Sequence, residues 1–70
     1  MLLSLAPIGE VNQIKVIWGG EEIKNCLKAF GLAVDIEVCV LSKAYDDLIV
    51  VMVKDKRIAI GEELARKIMV

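Results

Sequence analysis

The sequence predicts a small, mainly antiparallel β domain that curls into a barrel and carries two helices. Apolar and polar residues alternate in several short segments, as they do in strands with one buried face. The connections between these segments are too short for the crossovers that parallel strands need. Leu48–Val53 is apolar on both faces, which is typical of a central strand covered on each side. Short antiparallel strands hide such a segment most economically by closing into a barrel.

The chain begins with a turn and a strand. Pro7–Glu10 has the composition of a turn, and Val11–Trp18 alternates in the manner of a half-buried strand. Its inner face would carry Ile14, Val16 and Trp18, so we expect the indole in the core.

A helix follows the Gly-Gly pair that ends this strand. Glu21–Phe30 has apolar residues at helical spacing, with acidic residues at its positive end. The expected inner stripe is Ile23, Cys26, Leu27 and Phe30. Gly31 is placed to end the helix in a left-handed conformation, with Leu32 folded back onto the last turn.

The second half of the chain predicts three more strands. Asp35–Ser42 alternates, with Ile36, Val38 and Val40 on its inner face. A polar loop at Ser42–Asp47 leads to Leu48–Val53, which is rich in β-branched residues. A tight turn over residues 54–56 and a returning strand at Arg57–Ile60 complete a hairpin.

A last, C-terminal helix is expected to open at Gly61, with Arg66 and Lys67 near its end. Leu64, Ala65 and Ile68 would face inward, while Glu62 and Glu63 lie at its start. The spacing also predicts two ion pairs one helical turn apart, Glu62 with Arg66 and Glu63 with Lys67.

The composition favours an interaction module over an enzyme. Nine Lys and Arg against ten Asp and Glu give a net charge of −1, which is too little positive charge for nucleic acid to be the main partner. The sequence contains no histidine, and Ser4 and Ser42 have no evident base, so no catalytic arrangement can be assembled. At 57% hydrophobic residues, the chain has more apolar side chains than so small an interior can hide. We therefore expect some of them on the surface, under a partner or in a weak homo-oligomer.

The cysteines and the ends of the chain carry weaker indications. Cys26 and Cys39 match no zinc or redox spacing, and we expect two buried thiols, with a disulfide between them as the alternative. Residues 1–6 make a poor signal peptide, and the longest apolar run, Leu48–Val53, is too short to span a bilayer. A cytoplasmic protein without membrane insertion is the resulting expectation.

Several stretches together resemble the ferrous-iron transport protein A (FeoA) family over residues 2–70. The resemblance rests on six stretches: Leu2–Leu5 with Pro7-Ile8-Gly9, Ile14 to Gly20, Leu27 with Phe30-Gly31-Leu32, Val38 to Leu41, Ile49–Val53, and Arg57 to Val70 with its Arg-Ile-Ala-Ile-Gly opening. It implies an SH3-like barrel with a helical insertion after the first strand and a C-terminal helix. It also implies a small cytoplasmic accessory protein that binds a FeoB-type, GTPase-linked ferrous-iron permease. Cys26 stands where the family usually has an arginine, and a thiol cannot replace a forked cation at an interface.

Candidate site residues are few. The available ligands for a divalent ion such as Fe²⁺ are the two thiols and the acidic pairs at helix starts and in the loop. Of these, Asp46 and Asp47 are the better candidates, and we expect them to bind weakly at most. For partner contact the candidates are Leu27, Leu32 and Tyr45, with core packing as the alternative for Leu27. Lys54, Lys56 and Arg57 form a small basic cluster at the hairpin, which suits a soluble turn, an acidic partner or a phosphate backbone.

Two functions follow from these expectations. The first is a regulator or scaffold of ferrous-iron uptake that docks on the permease and performs no chemistry of its own. The second is a nucleic-acid-linked role, either as a domain of the kind appended to iron-dependent repressors or as a small RNA-binding barrel. The low net charge argues against both forms.

Overall fold

The chain forms a four-stranded and a two-stranded antiparallel sheet. The computed structural model describes residues 1–43 and 47–70. A short 3₁₀ helix at Leu3–Leu5 precedes the main elements of this part of the chain: β1 (Val11–Gln13), β2 (Val16–Ile17), α1 (Gly20–Ala29), β3 (Glu37–Lys43), β4 (Leu48–Val53), β5 (Lys56–Gly61), α2 (Glu62–Ala65) and β6 (Ile68–Met69). The larger sheet has the order β1-β3-β4-β5, and β2 pairs with β6. The expected mainly antiparallel β domain is confirmed.

The expected first strand is two strands, because the backbone changes partners in its middle. β1 pairs with β3, whereas β2 pairs with β6. Between them the Ile14 N–H donates to the Ile36 carbonyl at 2.9 Å, and the Lys15 N–H donates to the Met69 carbonyl at 2.8 Å. The break shifts the inward positions, so that Ile14 and Ile17 are buried while Trp18 is 46% exposed. The expectation of a core tryptophan was wrong for this reason.

Helix α1 lies within one residue of its expected limits and ends as its sequence predicts. Gly31 has a φ of +90°, and its N–H donates to the Lys28 carbonyl at 2.9 Å. The Leu32 N–H reaches the Leu27 carbonyl, also at 2.9 Å, and both leucines are fully buried. This pair of bonds is the Schellman arrangement, which satisfies carbonyls that the helix end leaves free. No helix in the described residues is long and apolar enough to cross a membrane.

The hairpin of β4 and β5 has the expected place and a defined turn. Val53 pairs with Lys56, so only Lys54 and Asp55 form the connection. Both have positive φ, +48° and +66°, as a type I′ turn requires. Strand β3 begins at Glu37, two residues later than expected, because Asp35 has a φ of +75° and cannot extend the strand.

The C-terminal segment contains less helix than expected. Helix α2 covers only Glu62–Ala65, and the chain then extends as β6. Residues 68 and 69 are extended because the backbone on either side of them is hydrogen-bonded to two other segments. The Trp18 N–H donates to the Lys67 carbonyl, and the Val70 N–H donates to the Met1 carbonyl. The Glu62–Arg66 ion pair forms at 3.5 Å and is the only one in residues 1–43 and 47–70, so the expected Glu63–Lys67 pair is absent there.

The core lies between the two sheets and the helices and is aliphatic in the described part of the chain. Its apolar residues are Leu3, Ala6, Ile14, Ile17, Leu27, Leu32, Val38, Val40, Ile49, Val51, Val53, Ile60, Ala65, Ile68 and Val70. The expectation of buried cysteines was wrong: Cys26 is exposed, Cys39 is half-buried, and both are free thiols. Of the residues expected to face inward from this helix, only Leu27 is fully buried, whereas Cys26 and Phe30 are exposed.

Gly19 is the position where a side chain should cost most. Its φ is +108°, and an added Cβ would lie 2.7 Å from Ile23 Cγ1 and 3.0 Å from Ile23 Cβ. We expect Gly19→Ala to lower the free energy of unfolding by at least about 2 kcal/mol, from backbone strain together with overpacking. Urea unfolding followed by circular dichroism measures this.

The matched control for that variant is Gly61→Ala. Gly61 has a φ of −66° and open space around its Cα, so the same methyl group should change stability by less than about 1 kcal/mol. Equal losses in the two variants would contradict the proposed cause.

Candidate interaction surfaces

The described residues assemble no cluster with obvious chemistry. No group of three or more His, Cys, Asp or Glu within residues 1–43 and 47–70 could hold a metal ion. Of the acidic pair named from the sequence, Asp46 lies outside the described residues. Asp47 is exposed, and its carbonyl accepts a 2.7 Å hydrogen bond from the Glu62 N–H. A weak divalent-ion site at this pair stays a prediction.

Two of the three partner-contact residues named from the sequence lie together in the core. Leu27 and Leu32 are both 0% exposed and pack in the core, so neither side chain can reach a partner in this conformation. Helix α1 buries them because its one inward stripe and its folded-back C-terminal end both face the barrel. Core packing, the alternative for Leu27, is what the structure shows. Tyr45 lies outside the described residues.

An apolar patch instead covers the outer face of the four-stranded sheet. Val11 pairs with Cys39, and Cys39 pairs with Met52, so these three side chains form one row across β1, β3 and β4. Val50 and Leu48 follow Met52 at alternate positions of β4 and therefore share its face. We call these five residues the outer patch.

The outer patch is exposed in a way that the inner face is not. Val11 is 57% and Leu48 is 41% exposed, whereas Ile49, Val51 and Val53 on the other face of β4 are nearly inaccessible. Antiparallel sheets with one face in water normally carry polar residues on that face. The expectation that β4 is covered on both sides was therefore wrong within the described residues, since its outer side chains are only partly covered by their neighbours.

A second surface lies between the end of α1 and the hairpin turn. Lys28 from α1 lines a groove of about 400 Å³ with Lys54 and Lys56 from the hairpin. Its apolar lining comes from Phe30, Val53 and Ile58. We call these six residues the basic groove.

The structure separates one member of the basic cluster predicted from the sequence and adds another lysine to the other two. Arg57 pairs with Met52 and belongs to the edge of the outer patch, whereas Lys54 and Lys56 line the groove. Lys28 joins them from a segment distant in sequence, and nothing in the spacing indicates it. The signal for the outer patch was present in the two apolar faces of β4.

Comparison with known proteins identifies a family that matches the whole sequence. The family model described as the FeoA domain matches residues 1–70. This chain belongs to the FeoA family. Membership implies a role in ferrous-iron uptake, and the family is an accessory iron-transport domain and not a known class of enzyme. No curated protein sequence matches the chain significantly.

Solved structures share the architecture. The crystal structure of an iron uptake regulatory protein (FeoA) is 30% identical with a TM-score of 0.88, and the match covers 96% of this chain and 88% of that chain. A manganese-dependent transcriptional repressor is 17% identical with a TM-score of 0.86, over 97% of this chain and 39% of the repressor. The metal-dependent transcriptional regulator MtsR is 16% identical with a TM-score of 0.72, over 96% of this chain and 33% of the regulator. The likeness to the two regulators shows the fold alone, and the SH3-like barrel expected for this FeoA-family chain is confirmed.

The burial of Leu27 predicts a purely structural role for its side chain. Leu27→Ala should lower the free energy of unfolding by about 2–5 kcal/mol, since it leaves a cavity in the aliphatic core. The same substitution at Leu5, which is 68% exposed, should cost less than about 1 kcal/mol. Thermal and urea unfolding of the two variants tests this, and a small effect at Leu27 would return that residue to the partner-contact candidates.

Proposed function

We propose that this FeoA-family chain is an accessory protein of ferrous-iron uptake that binds the cytoplasmic part of a FeoB-type permease through its outer patch. It performs no chemistry on the iron itself and acts by the shape and chemistry of the surface that it offers. Family membership supports the iron-uptake role, and the similar crystal structure is that of an iron uptake regulatory protein. Assignment of the permease as partner and of the cytoplasm as location is part of the proposal.

The outer patch is the observation that carries the proposal. Its central row, Val11, Cys39 and Met52, lines a depression of about 240 Å³. Charged residues of both signs border that depression, with Glu37 and Asp55 beside Lys54. A partly buried apolar centre with a mixed polar rim is the usual anatomy of a protein–protein interface.

The chemistry of this surface favours a protein partner over nucleic acid. Phosphate backbones are bound by clusters of lysine and arginine, and the outer patch is apolar at its centre. The structural likeness to metal-dependent repressors reaches only the shared fold and covers 39% or less of those chains.

A charge placed within the outer patch should weaken the complex. We expect Val11→Lys to lower the affinity for the cytoplasmic domain of the permease at least about tenfold, equivalent to about 1.4 kcal/mol, because the ammonium group would lose water in the interface. Val11 is 57% exposed, so the substitution should leave the free energy of unfolding nearly unchanged. Calorimetric titration of the purified domain with each variant measures the affinity.

Val34→Lys is the matched control. It is the same substitution at a valine that is 48% exposed, but Val34 lies beside α1 and not on the sheet. It should bind as the unsubstituted chain does. Equal binding by the Val11 and Val34 variants would contradict the outer patch as the docking surface. Recovery of nucleic acid from cells without any permease would contradict the proposed function itself.

A further inference from the structure

The basic groove has a chemical character different from that of the outer patch. Of the residues that line it, three are lysines and none is acidic within the described part of the chain. We propose that the basic groove is the docking site for an acidic segment of a partner protein that carries an apolar side chain between its carboxylates. This inference rests on the proposed function only in that the segment would belong to the permease.

The three lysines form no ion pair with any described residue. Lys28, Lys54 and Lys56 are all exposed. In residues 1–43 and 47–70 the only ion pair joins Glu62 to Arg66, so no carboxylate in that part of the chain holds these ammonium groups. Lys54 lies where the two surfaces meet, since it also borders the depression of the outer patch beside Glu37 and Asp55. Attraction for carboxylates in the groove therefore comes mainly from Lys28 and Lys56, which do not border that depression.

The apolar lining of the groove sets a second requirement. Phe30, which follows the last residue of α1 and lines the groove, is 47% exposed. Ile58 is half-buried, and Val53 lies beneath them in the core. Such an exposed aromatic beside an aliphatic floor is covered best by an apolar side chain of a ligand. A purely ionic ligand would leave this surface in water.

Two backbone turns hold the walls of the groove. The Schellman bonds at Gly31 fix the end of α1, from which Lys28 and Phe30 project. On the other wall, the type I′ turn fixes the backbone at Lys54 and Asp55. The lysine side chains move, but their attachment points are fixed, which lowers the entropy cost of binding.

An acidic peptide segment suits this site better than the alternative ligands. Three lysines allow only about three phosphate contacts, and Phe30 is the one aromatic ring among the described residues of the lining, so few phosphates and few bases of a nucleic acid could be held. A second copy of this chain could offer Glu62, Glu63 and Leu64, which lie together on another face. That contact would be heterologous and would continue into a ring or filament, whereas a segment from another chain closes the complex at once.

Titration with a synthetic peptide tests the groove without the permease. The probe has about six residues, spanning about 20 Å when extended, with leucines at the centre and Asp or Glu at both ends. We expect saturable shifts of the backbone amide signals at Lys28–Gly31 and Val53–Ile58. Binding should weaken as ionic strength rises, because these exposed charges are screened within about 10 Å at 0.1 M salt.

Matched variants separate the groove from general charge effects. Lys28→Gln combined with Lys56→Gln should weaken peptide binding about tenfold, on the scale of two exposed charge contacts. Lys24→Gln removes a charge from the same helix but outside the basic groove, so it should change the affinity less than about twofold. Phe30→Ala should weaken binding of the leucine peptide and leave that of a peptide with serine at the centre unchanged.

Two results with the peptide would overturn the proposal: no saturable shifts in the groove, or equal binding of a peptide that has Asn and Gln in place of its acids. Tighter binding of a single-stranded oligonucleotide would also overturn it. So would binding of a second copy of this chain in the groove, if the double variant Glu62→Gln and Glu63→Gln abolished that binding. Peptide failure with intact permease binding through Val11 would refute the groove alone. Permease failure with peptide binding intact would refute the proposed function and leave the groove as an acidic-peptide site.

Discussion

The fold depends on the change of backbone partners at Ile14 and Lys15. Ile14 is fully buried, and both of its backbone groups are bonded, its N–H to Ile36 at 2.9 Å and its carbonyl to the N–H of Asp35 at 2.8 Å. The next residue bonds to Met69 in the other sheet. A buried strand cannot leave these groups unpaired, so this crossing is the point at which the two sheets are joined. It brings β2 and β6 across the open side of the larger sheet and closes the barrel around an aliphatic core.

Closure of the barrel uses the inner face of the larger sheet and leaves its outer face without a cover in the described chain. A fold of this kind places no demand for apolar residues there, since an antiparallel sheet with one wet face is stable with polar residues outside. Leu48, Val50 and Met52 nevertheless occupy that face of β4, and Val11 and Cys39 extend it across two more strands. Folding therefore requires the apolar residues on the inner half of β4, whereas those on the outer half form an apolar surface of the kind that the proposed docking would use.

Much of the fold could be predicted from local patterns, and most of the site could not. The limits of α1, the glycine that ends it, and the hairpin all depend on neighbours within a few residues, and each agrees with the structure. The split of the first strand and the formation of β6 depend on hydrogen bonds to distant segments. The local spacing of apolar residues gives no information about such bonds. An apolar residue at position 27 is expected both in a core and in an interface, so the sequence does not distinguish the two roles of Leu27. Lys28 joins the hairpin lysines only because the chain folds.

The β4–β5 hairpin connects the two candidate surfaces through the alternation of its side chains. Met52 points outward to the outer patch, whereas its neighbour Val53 points inward beneath the basic groove. Across the turn, Arg57 pairs with Met52, and Lys56 and Ile58 line the groove. A partner that bound both surfaces would therefore contact this hairpin on both of its faces. Because the two-residue turn fixes the register, a slip by one residue would exchange the faces and remove both surfaces together, so binding here is tied to correct folding of one short loop.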